Sequence, residues 1–232
     1  MGGMNNQKVY IFGNGRFGSR AFHFLTPRFQ HANMTVVDKK IDCLKPIIAQ
    51  GSHAVAMDAV SFLTAAKAKM DLDDWIVPAV PIHLAFEWLQ QELQSACRAI
   101  PVPKALENLL PNAMRGTDGQ IYVSNADFIC PDDCPEPAAY CTVTGEPRPQ
   151  VLCDTLSCLK LPGFLATCIV SSQLAPGVGG YQWRTLCRAL EDIKAHPGDM
   201  LVSTACKCHG VMHALRYCPT LELVCTTTDI SS

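Results

Sequence analysis

Residues 9–18 read Val-Tyr-Ile-Phe-Gly-Asn-Gly-Arg-Phe-Gly, and this stretch is the strongest indication of the fold. The apolar run Lys8 to Phe12 predicts a buried strand, and the apolar period from Phe17 to about Leu25 predicts a helix that Pro27 ends. The loop between them, Gly13 to Gly18, matches the pattern G-x-G-x-x-G. A strand, a glycine loop and a helix in this order are typical of a dinucleotide-binding βαβ unit.

Each glycine of this loop has its own predicted role. Gly13 permits a tight turn, Gly15 lets the backbone approach a pyrophosphate, and Gly18 lets the helix pack closely on the strand. Free amides at the helix start face the phosphate oxygens. The candidate cofactor-binding residues of the loop are Gly13, Asn14, Gly15, Arg16, Phe17 and Gly18.

An acidic residue stands where a ribose would be recognised. Asp38 ends the second predicted strand, Met34 to Asp38, and follows Gly18 by twenty residues. A carboxylate there accepts hydrogen bonds from ribose hydroxyls, which favours NAD over NADP. Lys39 and Lys40 follow immediately and would tolerate a 2′-phosphate, so NADP stays open as the less favoured cofactor.

Strands and helices alternate through the rest of the first 110 residues and again after residue 164. We therefore expect an α/β fold, a doubly wound, mostly parallel, Rossmann-like sheet with a cysteine-rich loop insertion and a C-terminal βαβ segment. The expected domains are 1–111 (dinucleotide-binding), 112–164 (cysteine- and proline-rich) and 165–232 (α/β). The predicted strands are His53–Met57, Trp75–Val80, Arg98–Val102, Gln120–Ser124, Leu165–Ser171 and Met200–Thr204. The predicted helices are Cys43–Gln50, Ala59–Lys69, Leu84–Cys97, Lys104–Leu110 and Gln182–Ala195.

Four short motifs resemble one known family. They resemble the successive motifs of the regulator-of-potassium-conductance domains, also called RCK, KTN or TrkA-N domains. The matching stretches are Ile11–Gly18, Val36–Asp38, Met57–Ala59 and Asp74–Val77. The resemblance covers residues 8–110 and implies a Rossmann fold that holds NAD(H) or an adenine nucleotide. It also implies that Asp58 lies near the adenosine, although Met57 replaces the family's usual glycine. Neither the family's carboxy-terminal ligand domain nor a channel module is recognisable beyond residue 110.

Composition excludes several classes of protein. The 232 residues are 48% hydrophobic and 17% charged with a formal net charge of −2, so we expect no basic face and no nucleic-acid partner. The most apolar stretch, Trp75 to Phe86, is interrupted by Pro78 and Pro81 and is too short to cross a bilayer, so we expect no membrane insertion. Residues 1–7 contain no export signal, so we expect a cytoplasmic protein.

Thirteen cysteines exceed what packing needs, and an odd count excludes complete disulfide pairing within one chain. In a reducing compartment such a count indicates metal or redox chemistry. A loop too rich in proline to bury itself carries the spacing C-x3-C-x6-C, and ligation would order it. The candidate ligands are Cys130, Cys134 and Cys141, completed by Cys206, Cys208 or His209.

The identity of this centre stays open at the level of sequence. Cysteine followed by proline is familiar near iron–sulfur ligands, and the chain has no C-x2-C pair of the kind that structural zinc sites use, so an iron–sulfur cluster is favoured over zinc. Reduced thiols without metal are the third alternative.

A second glycine loop, Pro176 to Tyr181, is predicted between a strand and a helix. Its amides and the Tyr181 phenol would hold an anion or part of a substrate, through Gly177, Gly179, Gly180 and Tyr181.

His83 and His213 lie in apolar stretches and are interpreted as satisfied core residues. The remaining cysteines are interpreted as small buried hydrophobes or structural residues.

These features favour an NAD(H)-binding redox protein, of the oxidoreductase class, with a cysteine-ligated cluster or metal near the nucleotide. Spacing alone indicates no catalytic residue. The alternatives are a non-catalytic nucleotide- or redox-sensing regulator of the potassium-conductance type and a zinc-stabilised dehydrogenase. The expected partners are the nucleotide and a redox or regulatory protein, and a homodimer is a candidate assembly.

Overall fold

The computed structural model of the protein describes residues 7–219, so the predictions that concern the first six residues and Cys225 lie outside it. The first elements are β1 (Val9–Phe12), α1 (Arg16–Phe29), β2 (Met34–Asp38), α2 (Ile41–Ala49), β3 (His53–Ala56), α3 (Ala59–Ala66), β4 (Trp75–Pro78) and α4 (Leu84–Leu93). They are followed by β5 (Cys97–Ile100), α5 (Ala105–Leu109), β6 (Met114–Arg115), β7 (Ile121–Ser124), α6 (Leu152–Ser157), β8 (Phe164–Val170), β9 (Ser172–Ala175), β10 (Val178–Gln182), α7 (Trp183–Ala195), β11 (Gly198–Ala205) and β12 (His209–Tyr217).

The described residues form two mixed sheets, and the fold is mixed α/β. The first sheet has the order β3-β2-β1-β4-β10-β9. Its first four strands pair in parallel, with Val9 opposite both Met34 and Trp75. The hairpin β9–β10 extends this sheet with antiparallel strands, and Tyr181 lies opposite Ile76.

The second sheet has the order β6-β7-β12-β11-β8, and β5 also pairs with β12. The long strands β11 and β12 form an antiparallel pair from Gly198–Tyr217 to Ala205–Gly210. β8 and β11 are parallel neighbours, and α7 lies between them in the chain, so a βαβ unit is present in the carboxy-terminal part.

Three apolar clusters hold these layers together. In β1, Tyr10 and Phe12 pack into the cluster that lies between the two sheets, whereas Val9 and Ile11 pack on the opposite face with α1. This alternation follows from the two-residue period of a strand. The third cluster covers the far face of the second sheet and includes residues of α5 and α6.

Each sheet combines strands from before residue 111 and from after residue 164, the two predicted domain boundaries. The predicted fifth strand belongs to the second sheet as β5, antiparallel to β12, rather than to the parallel sheet. The predicted glycine loop at 176–181 is largely strand, because residues 172–182 fold into the hairpin β9–β10 of the first sheet. Both errors arise because sequence periodicity identifies a strand but not its partner.

Two smaller corrections concern helices. α1 continues through Pro27 to Phe29 and ends at Gln30, whose φ is 60°. The cysteine-rich segment contains the short helix α6, which its sequence pattern did not predict. Within the described residues, no helix combines the length and apolarity that crossing a membrane requires.

A buried histidine pair joins the amino end of α4 to the second sheet. His83 precedes α4, and its Nδ1 lies 2.9 Å from Nδ1 of His213 on β12, while its Nε2 lies 2.9 Å from Oγ1 of Thr204 on β11. The interpretation of both histidines as satisfied core residues is confirmed. Burial lowers the pKa of His83 to about 3 and that of His213 to about 4.

The free energy of unfolding should therefore fall as the pH drops below the unfolded histidine pKa of about 6.5. At such a pH the two histidines bind protons in the unfolded chain but stay neutral in the folded chain. Between pH 7 and pH 5 the loss is about 2 kcal/mol for each buried histidine. Urea denaturation at the two pH values measures it. His213→Asn should reduce this loss, whereas His196→Asn, at an exposed position, should not. Equal pH dependence in all three proteins would contradict the prediction.

Candidate functional site

The glycine loop connects β1 to α1, and two of its glycines are fixed by packing. Gly13 has a φ of +90°, and its amide donates to the carbonyl of Val37 at 2.7 Å. A Cβ on Gly13 would lie 2.6 Å from the carbonyl oxygen of Ala79. A Cβ on Gly18 would lie 1.8 Å from the carbonyl oxygen of Gly13. The turn and the strand–helix contact therefore account for these two glycines without any ligand.

Gly15 has no such structural reason to be glycine. Its φ is −74°, which any residue adopts, and a Cβ there would have no described heavy atom within 4 Å. Within residues 7–219 no side chain caps the amino end of α1. Gly15 thus leaves open space beside amides that lack helical partners, which is the arrangement that a close-lying phosphate requires.

Asn14 and Asp38 organise this loop from within. One carboxylate oxygen of Asp38 accepts the amide of Asn14 at 2.7 Å, and the other accepts the amide of Lys40 at 2.8 Å. The Asn14 side chain donates to the carbonyl of Cys43 at 2.6 Å. The structure therefore uses Asn14 to tie the loop to α2, while Asp38 stays at the end of β2 beside the loop.

Lys39 and Asp58 form an ion pair with each other. The Lys39 ammonium lies 2.8 Å from the Asp58 carboxylate, which also caps α3 through the amide of Ser61 at 3.0 Å. The hydrogen bond from Lys39 lowers the pKa of Asp58, and the Ser61 amide adds to this effect. The charge of Lys39 is thus already matched by a carboxylate.

A cavity of about 750 Å³ lies beside the glycine loop that connects β1 to α1. Phe17 of α1 and Gly177 of the β9–β10 hairpin contribute to its wall. All six metal-ligand candidates line it as well, namely Cys130, Cys134, Cys141, Cys206, Cys208 and His209. The structure therefore brings together cysteines that are separated by up to 78 positions in the chain, from residue 130 to residue 208.

The turn that follows β11 presents a sulfur and a ring nitrogen side by side. The Sγ of Cys206 accepts the amides of Cys208 at 3.4 Å and His209 at 3.3 Å. Its distance to Nδ1 of His209 is 3.9 Å, so both atoms could ligate one metal ion. Cys206 and His209 have the close spacing C-x2-H and are followed by Gly210. This spacing indicates a candidate ligand pair, but it is not a C-x2-C pattern.

Cys141 occupies a similar turn in the proline-rich loop. Backbone hydrogen bonds from Thr144 and Val143 lower the pKa of its thiol. The turn closes on Gly145, whose φ is +72° and whose amide donates to the carbonyl of Cys141 at 2.8 Å. Burial, in contrast, raises the pKa values of Cys130 and Cys206.

Three polar residues of the cavity were not identified from sequence. Arg148 donates to the Sγ of Cys208 and to the carbonyl of Pro137, and Glu136 accepts the amide of Cys208 at 3.1 Å. Asn125 donates to the carbonyl of Lys207 at 3.1 Å. Its buried Oδ1 has no hydrogen-bond partner among the described residues. No local motif marks these positions, because their partners are distant in the chain.

The donor set of the cavity consists mainly of cysteine thiols. Within residues 7–219, no three His, Cys, Asp or Glu side chains are arranged around a single metal position. Donors to one zinc ion lie within about 4 Å of one another. The twelve cysteines of that range are all free thiols, and five of them face a cavity with an unsatisfied amide oxygen. Soft sulfur ligands of this kind suit zinc and iron–sulfur centres alike.

The second glycine loop contributes to the cavity only in part. Gly177 and Gly179 line it, but a Cβ on Gly180 would lie 2.9 Å from the carbonyl oxygen of Ile76 in β4. Tyr181 is 1% exposed within the core between the sheets, and its hydroxyl has no partner among the described residues. Tyr181 does not supply a donor to the cavity in this arrangement.

Comparisons with known proteins identify the family to which this chain belongs. A protein of Archaeoglobus fulgidus, described as "Uncharacterized protein", is 25% identical over 224 residues, which is 89% of this chain and 98% of its own length. No solved structure matches. A family model described as "AF_1314_C: Uncharacterized protein, C-terminal domain" matches residues 85–228. Because this match spans more than half of the chain, the protein belongs to that family.

Proposed function

We propose that the protein is an NAD(H)-binding redox protein whose cysteine-ligated iron–sulfur cluster lies close to the nucleotide. The observation that carries the proposal is the cavity of about 750 Å³. Its wall includes both Phe17, from the first turn of α1, and five cysteine thiols. A nicotinamide that extended from the glycine loop would thus be near a redox-active centre. An oxidoreductase activity is the reaction class that this arrangement favours.

The nucleotide half of the proposal corresponds to a Rossmann-like, doubly wound arrangement. Four parallel strands in the order β3-β2-β1-β4 and a glycine loop at the carboxyl end of β1 support it. Open sheets of this type bind ligands at the carboxyl ends of their strands. The resemblance to the potassium-conductance regulators over residues 8–110 agrees with this proposal.

NAD is favoured over NADP by the charges at the end of β2. Asp38 ends β2, where the ribose hydroxyls of a dinucleotide would lie, and Lys39, which follows it, is paired with Asp58. A 2′-phosphate would meet the Asp38 carboxylate and would have to compete with Asp58 for this lysine. NADP and adenine nucleotides are therefore the weaker candidates.

The centre itself would be held by cysteines from two parts of the chain. Cys130, Cys134 and Cys141 come from the proline-rich loop, and Cys206 is the best-placed further ligand, because two backbone amides already orient its sulfur. A cluster bound there would supply one-electron chemistry. Free thiols throughout the described range suit a reducing compartment, so we propose a cytoplasmic location.

A zinc-stabilised dehydrogenase is the second candidate, favoured by one distance. The 3.9 Å between Cys206 Sγ and His209 Nδ1 suits two ligands of one ion. A non-catalytic regulator is the third candidate, favoured by the ion pair between Arg16 of α1 and Asp132 of the cysteine loop.

One preparation separates the first two candidates, the iron–sulfur redox protein and the zinc-stabilised dehydrogenase. The chain is purified without oxygen, its iron, sulfide, zinc and bound nucleotide are quantified, and NADH, NADPH and ATP are titrated into the same sample. The proposal expects iron and sulfide in equal amounts, the broad visible absorption of a cluster, and NADH as the tightest ligand. Colourless protein with stoichiometric zinc would replace the first candidate by the second.

A further inference from the structure

Asp132 of the cysteine-rich loop contacts α1, the helix that follows the glycine loop. Asp132, between Cys130 and Cys134, forms an ion pair with Arg16, and its carboxylate lies 3.8 Å from the guanidinium of Arg20. Both arginines belong to the first turns of α1. A negative group of the protein itself therefore lies beside the end of α1 that a dinucleotide's pyrophosphate would approach.

The other side of the same segment rests on the β9–β10 hairpin. The amide of Gly177 donates to the carbonyl of Cys134 at 3.1 Å, and the Gln173 side chain donates to that carbonyl at 2.6 Å. A Cβ on Gly177 would lie 1.6 Å from the carbonyl oxygen of Asp132, so the two backbones are in direct contact. Residues 130–134 are thus held between α1 and the hairpin.

We propose that Asp132 is an internal competitor of the bound dinucleotide. Its carboxylate holds Arg16, and a pyrophosphate that binds over Gly15 draws Arg16 away and weakens the hold on residues 130–134. The inference rests on the proposed function, since it takes a dinucleotide as the ligand of the glycine loop.

Two electrostatic effects act in the same direction. Phosphate oxygens are strong acceptors for the Arg16 guanidinium, which therefore leaves Asp132. The pyrophosphate also carries the same charge sign as Asp132 and repels it. Nucleotide binding and the docked position of the cysteine loop therefore oppose each other.

The coupling works in both directions. If the nucleotide loosens residues 130–134, then a centre that fixes Cys130 and Cys134 must weaken nucleotide binding by the same factor. Because these two cysteines flank Asp132, the state of the cavity and the occupancy of the glycine loop would report on each other. This would make the protein responsive to both nucleotide and cluster.

Neighbouring aspartates provide a matched pair of variants. Asp132→Asn removes the competing charge and keeps the shape of the side chain. Asp133→Asn makes the same change of net charge one residue later, at an exposed position whose carboxylate forms no ion pair in residues 7–219. Thermal denaturation of both variants checks that each one folds.

The first measurement is the NADH dissociation constant of the purified full chain. Asp132→Asn should bind NADH roughly two- to fivefold more tightly than the unmodified protein, the range expected for a solvent-exposed ion pair. Asp133→Asn should change the constant by less than about 1.5-fold, because screening weakens an unpaired surface charge. The difference between the variants should shrink at high salt.

The second measurement follows the hairpin rather than the nucleotide. Hydrogen exchange at the Gly177 amide reports whether Cys134 is still docked on it. NADH should accelerate this exchange roughly two- to fivefold in the unmodified protein and in Asp133→Asn, whereas Asp132→Asn should show the faster rate with or without NADH.

The outcomes separate the inference from the proposed function. If NADH binds all three proteins equally and leaves Gly177 exchange unchanged, the competition is wrong and the dinucleotide site stands. If NADH binds none of them, the proposed function fails and the competition fails with it. Tighter binding in both variants alike would indicate a general charge effect and would also overturn the inference.

Discussion

Gly15→Asp is expected to abolish measurable NADH binding while leaving the protein folded. The added carboxylate would occupy the open space beside the amino end of α1 and would face the pyrophosphate. Like charges in direct contact cost several kcal/mol, which corresponds to a loss of affinity of roughly 100-fold or more. Isothermal titration with NADH measures the loss.

The fold should tolerate this substitution for a local reason. Gly15 has an ordinary φ of −74°, and a Cβ there meets no described atom within 4 Å. The denaturation midpoint of Gly15→Asp should therefore stay close to that of the unmodified protein. Gly15→Ala is the matched control, which adds the Cβ without the charge and should weaken binding much less. Normal NADH affinity in Gly15→Asp would show that the nucleotide does not lie over this glycine.

Cys206→Ser is expected to remove the iron of the proposed cluster and to destabilise the cysteine-rich loop. Serine preserves the size of the side chain but does not offer a thiolate to a soft metal. Iron and sulfide per chain should fall by about tenfold or more, and the denaturation midpoint should fall with them, because ligation orders a segment that packs poorly by itself. Metal analysis and absorption spectra of anaerobically purified protein measure both effects.

A cysteine outside the cavity supplies the control. Cys158 is exposed and follows α6, away from the cavity wall. Cys158→Ser should keep the metal content, the spectrum and the midpoint of the unmodified protein. Unchanged iron in Cys206→Ser would exclude Cys206 as a ligand, and loss of iron in both variants would point to a general effect of thiol loss.

The sequence predicted the elements around the glycine loop well, because their signals are local. The strand Val9–Phe12 and the helix that begins at Arg16 lie where the apolar periods place them. The roles of Gly13 and Gly18 also agree with the contacts that a Cβ would make. These features depend on neighbours within a few residues, which a pattern of residue types encodes directly.

The arrangement of the strands was predictable only in part. The parallel pairing of β1 to β4 follows from the alternation of strands and helices, but the sheets to which β5 and the β9–β10 hairpin belong were not predictable from it. The choice of a pairing partner depends on the packing of both faces and on chain connectivity over long distances. A short apolar run contains no such information.

The cysteine spacing predicted a metal or cluster centre, and the fold determined what surrounds these cysteines. The sequence alone specified the glycine loop, Asp38 and a supply of thiols in a loop that cannot bury itself. Only the tertiary structure decided that Glu136 and Arg148 line the same cavity, and that Asp132 reaches Arg16 across 116 positions of the chain. The physical reason is that hydrogen bonds and ion pairs between distant segments exist only after the two sheets have packed.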